Sequence, residues 1–203
     1  METTQVKMGA ETNRITSERS QKVYPYDPVY TFEASKSVIK KEKDFIMHIV
    51  NKMVYDKIHF GHFFDGERKA TLNYFSKLIR RMPVELLAVL NQFNERDPKS
   101  VSDMYGVAPL AYRLGVARGL IGRELDDLSF GTASHDLGKD GILSLENLHR
   151  ADRLTDAEWK SIVLHPERGA KTIDGINDYS FKKYGVKAIS NGTRQTGLEH
   201  QVY

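Results

Sequence analysis

Residues 135–139, HDLGK, place an imidazole, a carboxylate and an ammonium group within one short stretch, directly behind the apolar run that ends in FGTAS. Adjacent His135 and Asp136 offer a metal ion two ligands of different type, and a carboxylate can also bridge two ions. Gly138 permits close backbone approach, and Lys139 could neutralise a phosphate oxygen beside a metal. The alternative is a polar helix end in which His135 packs in the core and the charged groups are solvated.

The absence of cysteine restricts what kind of metal site this chain can build. Without thiolates, a tightly held metal must use His, Asp, Glu or water as ligands. A ligand set of imidazoles and carboxylates suits iron, manganese or a similar divalent ion. We therefore expect any metal site here to be a hard one, rich in oxygen or imidazole ligands.

Composition and charge limit the class of protein. With 40% hydrophobic and 28% charged residues the chain has ordinary globular usage. Its 30 Lys and Arg against 27 Asp and Glu leave a net charge of +3, with the basic residues scattered, so we expect no binding to a nucleic-acid polymer. No segment approaches the roughly 18 to 20 consecutive apolar residues of a membrane span. The polar N-terminus also lacks the apolar core of a signal peptide, which predicts a cytoplasmic protein.

A second group of polar residues occurs in RLTDAEWKSIVLHPERGA, residues 153–170. Thr155 and Glu158 have the spacing of a capping box, in which hydroxyl and carboxylate satisfy free amides at the start of a helix. Trp159, Ile162 and Val163 are predicted to face the core. His165 then stands at the end of this helix, where it could meet the HDLGK stretch.

The order and spacing of these blocks resemble the HD-GYP domain, the bacterial branch of the HD metal-dependent phosphohydrolases. That family reads H-D-x-G-K, then a Leu-Thr pair, then Glu-Trp, then H-P-E-x-G, and this chain matches each block over roughly residues 85 to 175. The resemblance implies an all-α, HD-type helical bundle with a divalent-metal site of iron or manganese. It also implies hydrolysis of the bacterial signalling nucleotide cyclic di-GMP.

The resemblance further implies roles for residues that match the family's motifs. Metal ligation is implied for His135, Asp136 and His165, catalysis for Asp136 and Lys139, and substrate binding for Lys139, Arg150 and Arg153.

The chain departs from the family pattern in two places. Asp103 stands where the family has a histidine, so it is a possible fourth ligand. Ser190 and Asn191 stand near the family's His-His pair, and no Gly-Tyr-Pro stretch follows, so we interpret the C-terminal part as degenerate or truncated. By ligand counting the site holds one ion at best, and we expect weak or no diesterase activity.

Two alternative functions remain open at this point. One is a non-catalytic HD-GYP-like module that acts by binding a protein or a nucleotide. The other is a phosphohydrolase of the broader HD superfamily that acts on a different nucleotide, because a site with one metal needs fewer ligands.

Three segments are predicted along the chain. Residues 1–22 are polar and are expected to form a flexible tail. Residues 23–82 carry a Pro- and Tyr-containing strap and amphipathic helices, one from about 36 to 58, which could recognise a protein partner or form a homodimer. Residues 83–203 form the HD-GYP-like helical domain, in which Pro109 is expected to mark the start of a helix.

The remaining histidines and basic pairs have simpler interpretations. His59 and His62 could pair on a metal, but the neighbouring glycine and phenylalanines favour a packed turn. His48 and His149 are expected at the surface or half-buried, although His149 could reach a substrate. The pairs Lys40-Lys41 and Arg80-Arg81 are interpreted as solvated helix faces.

Overall fold

The computed structural model describes residues 28–56, 59–142, 149 and 153–199. Within these ranges it contains eight α-helices and no strand, so the predicted all-α class is confirmed. Two short 3-10 turns, Gly61–Phe63 and Leu137–Lys139, interrupt the connections. The helices are α1 (Lys36–Tyr55), α2 (Arg68–Arg81), α3 (Val84–Arg96), α4 (Pro98–Ala117), α5 (Gly122–Thr132), α6 (Asp156–Val163), α7 (His165–Tyr184) and α8 (Asn191–Glu199). The predicted tail, 1–22, lies outside the described residues.

Helix α1 begins and ends where local chemistry requires. The Ser35 hydroxyl accepts a hydrogen bond from the backbone N–H of Val38 at 3.3 Å, which caps the first turn. Ile46, Val50 and Val54 recur at four-residue steps and are buried, so the amphipathic pattern predicted from the sequence holds. The helix ends at Tyr55, because Asp56 takes an extended backbone conformation.

One hydrophobic cluster joins the N-terminal helices to the later ones. It contains side chains from α1 to α4, from the HDLGK stretch and from α7, so the predicted segments 23–82 and 83–203 share a core. Tyr30 and Phe32, from the predicted strap, pack against its edge. Fully buried members include Val50, Leu78, Leu87, Phe93, Tyr105, Leu137 and Ile176. No helix among the described residues is long and apolar enough to cross a membrane.

The start of α4 differs from the prediction. The helix runs from Pro98 to Ala117 with Pro109 in its interior, so the expectation that a helix begins near Pro109 was wrong. The true start has a stronger signal, because the Asp97 carboxylate accepts from the Ser100 N–H at 3.1 Å and Pro98 occupies the first turn. Met104, Tyr105 and Ala108 of this helix are buried, and their burial outweighs the backbone hydrogen bond that Pro109 cannot donate.

Helix α6 has the predicted capping box but not the predicted buried face. Ile162 is buried, whereas Trp159 is 57% and Val163 46% exposed, so the prediction for those two was wrong. The helix has eight residues and its apolar partners among the described residues are Ile142 and Leu154. Because this contact surface is small, it buries only Ile162 of the three side chains that were predicted to face the core.

We expect Thr155→Ala to lower the stability of α6 by about 1 kcal/mol. The Thr155 hydroxyl accepts from the Glu158 N–H at 3.3 Å, while the Thr155 N–H donates to the Glu158 carboxylate at 2.7 Å. Loss of the hydroxyl leaves that amide without its cap. Hydrogen exchange of α6 amides measures the change. Ser161→Ala is the control, since its exposed hydroxyl only donates to the Ala157 carbonyl within the helix, and a loss of equal size there would contradict the prediction.

A carboxylate of α1 is buried in the core. Glu42 is 1% exposed, and its oxygens accept hydrogen bonds from the Tyr105 hydroxyl at 2.9 Å and from the Asn94 amide at 3.2 Å. Burial raises the pKa of Glu42 and outweighs the two hydrogen bonds, which lower it.

The raised pKa of Glu42 predicts a pH dependence of stability. Between the unfolded pKa and the raised folded pKa, the folded chain binds more protons than the unfolded chain, so the free energy of unfolding falls as pH rises through that window. Glu42→Gln removes this titration and should flatten the dependence. Urea unfolding of both proteins from pH 4 to pH 8 measures it, and parallel curves for the two would contradict the prediction.

Candidate metal and phosphate site

The HDLGK stretch forms a tight turn between α5 and the first turn of α7. Helix α5 ends at Thr132, two residues before the turn that carries His135 and Asp136. Leu137, 1% exposed, anchors the turn in the core. Gly138 lies against α7 so closely that an added Cβ would stand 1.8 Å from the His165 carbonyl oxygen and 2.5 Å from the Gly169 nitrogen. This contact brings His165 beside the His-Asp pair.

Three cationic or imidazole groups meet at the Asp136 carboxylate, which is 5% exposed. One oxygen lies 3.1 Å from Nε2 of His165. The other lies 3.3 Å from Nε2 of His135 and 2.6 Å from Nζ of Lys139. The structure therefore brings together four of the residues predicted from the sequence, and does so with both imidazoles turned the same way.

The opposite nitrogen of each imidazole faces a backbone carbonyl. Nδ1 of His135 lies 2.7 Å from the Thr132 oxygen, and Nδ1 of His165 lies 2.6 Å from the Ile162 oxygen. A carbonyl oxygen can only accept, so each Nδ1 carries a proton and donates it. A neutral imidazole in this orientation has its lone pair on Nε2, the nitrogen that faces Asp136.

With both Nε2 atoms facing the Asp136 carboxylate, the cluster is stable only if positive charge lies between these groups. Burial alone would raise the pKa of Asp136, but the hydrogen bonds that His135 and His165 donate when protonated, together with the charges of protonated His135 and of Lys139, hold the pKa of that carboxyl well below its usual range. The carboxylate is thus ionised and only accepts. Two facing acceptors repel each other unless protons or a metal cation lie between them.

The donor set fits a divalent metal in chemical type. Nε2 of His135, Nε2 of His165 and a carboxylate oxygen of Asp136 are two nitrogens and one oxygen, a combination found at iron sites with open positions. The Nδ1 hydrogen bonds to carbonyls are those that orient metal-binding histidines. Within the ranges that the structure describes, however, no three His, Asp or Glu side chains are already spaced as a metal shell. Ion binding would therefore require these side chains to move closer to a common point.

The other predicted site residues lie elsewhere. Asp103 is exposed on α4, one turn before Val107, and Arg153 is exposed before the cap of α6. Arg150 lies outside the described residues. Val107 joins Thr132, His135 and Thr196 around a cavity of about 230 Å³. This cavity gives access to His135.

Ser190 and Asn191, which the resemblance aligns with the family's His-His pair, lie where α8 meets α5. The Ser190 hydroxyl accepts from the Thr193 N–H at 3.0 Å, at the start of α8, and it donates to Asp127 of α5. Thr193 donates to the same carboxylate at 3.2 Å. Asn191 is exposed. In the described structure, Ser190 and Thr193 connect the start of α8 to α5 by hydrogen bonds, and residues 190 and 191 add no imidazole to the cluster.

No family model, curated protein or solved structure matches this chain.

Sequence reasoning missed a second buried carboxylate in the same turn. Asp140, 5% exposed, accepts from Nε of Arg96 at 3.0 Å and from the Tyr30 hydroxyl at 2.8 Å. Burial and the neighbouring Asp140 raise the pKa of Tyr30. These contacts fix the far end of the HDLGK turn to α3 and to the strap. The only signal in the sequence was a carboxylate directly after the motif, which nothing linked to Tyr30 or Arg96.

Histidines outside the cluster have local partners. His59 and His62 are exposed and face Asp56 at 3.2 Å and Asp65 at 3.8 Å, while Phe64 between them and α2 is buried. His149 is half-buried, with Nε2 2.8 Å from the Asp97 carboxylate.

Proposed function

We propose that this chain is an HD-GYP-type domain whose His135, Asp136 and His165 bind a single divalent metal, and whose Lys139 binds a phosphate ester at that metal. The observation that carries the proposal is the shared orientation of the two imidazoles, with Nδ1 on a carbonyl and Nε2 on one buried carboxylate. A divalent ion held there would supply Lewis acidity and lower the pKa of a bound water. Iron and manganese are the metals that best suit these ligands.

The residues of the chain itself supply orientation and charge. The Thr132 and Ile162 carbonyls hold the imidazoles, and the Leu137 side chain holds the turn in the core. Lys139 lies half-buried next to Asp136, so its ammonium is placed to pair with the negative charge of a phosphate oxygen. Such preorganised charge stabilises a developing phosphate anion.

The donor set supports weak action on cyclic di-GMP. Among the described residues the cluster has two imidazoles and one carboxylate, and Ser190 and Asn191, which the resemblance aligns with the family's His-His pair, add no imidazole. Hydrolysis of cyclic di-GMP is therefore proposed to be slow, and smaller phosphate esters are candidate substrates of the same site.

A second candidate is a non-catalytic module of the same lineage. The contacts of Ser190 with Asp127 and Thr193 favour it, because they put hydrogen bonds between helices at a position that the resemblance aligns with the family's His-His pair. In this case the cluster would keep a phosphate or a metal without turnover.

The test is a paired measurement of metal content and turnover. Purified protein is loaded with manganese or iron(II), freed of unbound metal and assayed by elemental analysis. The same samples are incubated with cyclic di-GMP and with p-nitrophenyl phosphate. We expect up to one metal per chain, slow formation of the linear dinucleotide, and turnover lost in Lys139→Met with metal retained. Metal binding without turnover would favour the non-catalytic module, and absence of both would overturn the proposal.

A further inference from the structure

A groove rimmed by basic side chains runs along α1, away from the His-Asp cluster. One wall is α1 and the other is the end of α2 with the start of α3. The groove encloses about 490 Å³. We call it the α1 groove. Its lining residues are Ala34, Lys36, Ile39, Lys40, Lys43, Asp44, Met47, Ser76, Ile79, Arg80 and Val84.

The rim of the α1 groove carries excess positive charge. Lys36, Lys40, Lys43 and Arg80 face it with Asp44 as the single carboxylate. Within the described structure the three lysines have no carboxylate partner, and Arg80 bonds only to Ser76, through its hydroxyl at 2.9 Å and its carbonyl at 3.2 Å. The sequence suggested solvated pairs at Lys40-Lys41 and Arg80-Arg81, whereas the fold places Lys40 and Arg80 across one groove.

The floor of the α1 groove is apolar. Ile79 is buried, Ile39 and Met47 are half-buried at the edge of the core, and Val84 is 47% exposed. Apolar surface recessed between charged walls is suited to the apolar ridge of an incoming helix. Helix α1 lines the groove from Lys36 to Met47, which is about 16 Å of helix at 1.5 Å per residue. That length matches about three turns of a partner helix.

The residues that line the groove favour a partner helix over a nucleic acid, a membrane surface or the N-terminal residues of this chain. No aromatic side chain is among the lining residues, so the stacking platforms typical of single-stranded nucleic-acid binding are missing. Ile39, Met47 and Ile79 are recessed, whereas a membrane-binding surface places its apolar residues outermost. Residues 1–27 of this chain contain four acidic and four basic residues, so they offer no net negative charge to pair with the rim.

We propose that the α1 groove binds an acidic amphipathic helix of a partner protein. The leucine-type side chains of that helix lie on Ile39, Met47, Ile79 and Val84, and its carboxylates pair with the lysines and Arg80. The interaction is independent of metal binding at the His-Asp cluster.

The test uses the full chain and a labelled synthetic peptide. The probe is a stapled helix of about twelve residues, with leucines at three- and four-residue spacing and glutamates elsewhere. Its binding is measured as the rise in fluorescence anisotropy of the label. We expect saturable binding that weakens as sodium chloride is raised. A peptide of the same composition, reordered so that no helix face is apolar, should bind at least about tenfold more weakly.

Lys40→Glu and Lys41→Glu form a matched pair of charge reversals. Both lysines are exposed on α1, but only Lys40 lines the groove. We expect Lys40→Glu to weaken peptide binding at least about tenfold and Lys41→Glu to change it by less than about twofold. Circular dichroism confirms that both variants keep the wild-type helix content.

The opposite results would overturn the proposal. Equal effects of the two variants would mean that only net charge matters. Equal binding of the ordered and reordered peptides, or no binding at millimolar peptide, would exclude a helix-binding groove. Binding to phosphatidylserine vesicles that Lys40→Glu abolishes, without peptide binding, would assign the groove to a lipid surface instead.

Discussion

Gly138→Ala is expected to destabilise the folded chain by about 3 kcal/mol or more. An added Cβ would stand 1.8 Å from the His165 carbonyl oxygen and 2.5 Å from the Gly169 nitrogen. Both are backbone atoms of α7, so no side-chain rotation can relieve the overlap. The HDLGK turn must move away from α7, which separates Asp136 from His165.

Urea unfolding and metal content together measure the effect of Gly138→Ala. Gly175→Ala is the matched control, because it lies in the same helix that Gly138 contacts and its Cβ would meet only the Phe32 ring at 3.5 Å. We expect that control to be neutral or to stabilise by up to about 1 kcal/mol, since alanine favours a helix over glycine. A Gly138→Ala protein as stable as Gly175→Ala would show that the turn does not pack on α7 as described.

Asp136→Asn is expected to abolish metal-dependent stabilisation. The amide keeps the size of the side chain but loses the charge that faces His135, His165 and Lys139. In metal-free protein the change should also cost about 1 to 3 kcal/mol, because buried groups lose a charged partner. Turnover of phosphate esters, where the wild type shows it, should fall at least about 100-fold, or about 2.7 kcal/mol of transition-state stabilisation.

Thermal unfolding with and without manganese measures this prediction. At a metal concentration of about 100 times Kd, binding adds about 2.7 kcal/mol, which raises the Tm of a chain of this size by roughly 5 to 10 °C. Asp178→Asn is the control, because Asp178 is exposed on α7, away from the cluster, and should leave the shift intact. A full manganese-induced shift in Asp136→Asn would remove Asp136 from the ligand set and with it the proposed site.

Local patterns predicted the helices well. Four-residue spacing of Ile46, Val50 and Val54 marked α1, and the pairing of Thr155 with Glu158 marked the cap of α6. The position of Pro109 misled, because a helix with a strong start at Asp97 and a buried Tyr105 tolerates one missing hydrogen bond. Backbone preferences depend on a few neighbouring residues. Whether a helix tolerates an internal proline also depends on how the whole helix packs in the core.

In the candidate site, too, local sequence patterns were predictive and contacts between distant segments were not. The motif spacing indicated that His135, Asp136 and His165 would meet. In the structure, Nε2 of each histidine lies beside the Asp136 carboxylate. The sequence could not show that Asp140 holds the turn through Arg96 and Tyr30, because those residues are far apart along the chain. Contacts between distant segments carry no local signal. Metal identity, substrate and the HD-GYP assignment stay predictions.

The seating of α8 on α5 has a consequence for how the protein forms during synthesis. At Gly131 of α5 an added Cβ would lie 2.4 Å from the Thr196 side chain, so the two helices fit closely directly before the HDLGK turn. His135 and Thr196 also share the wall of one cavity. While residues 191–199 are still inside the ribosome, that wall is missing and the support of α5 is incomplete. The His-Asp cluster therefore gains this wall only after α8 has followed α5 out of the ribosome.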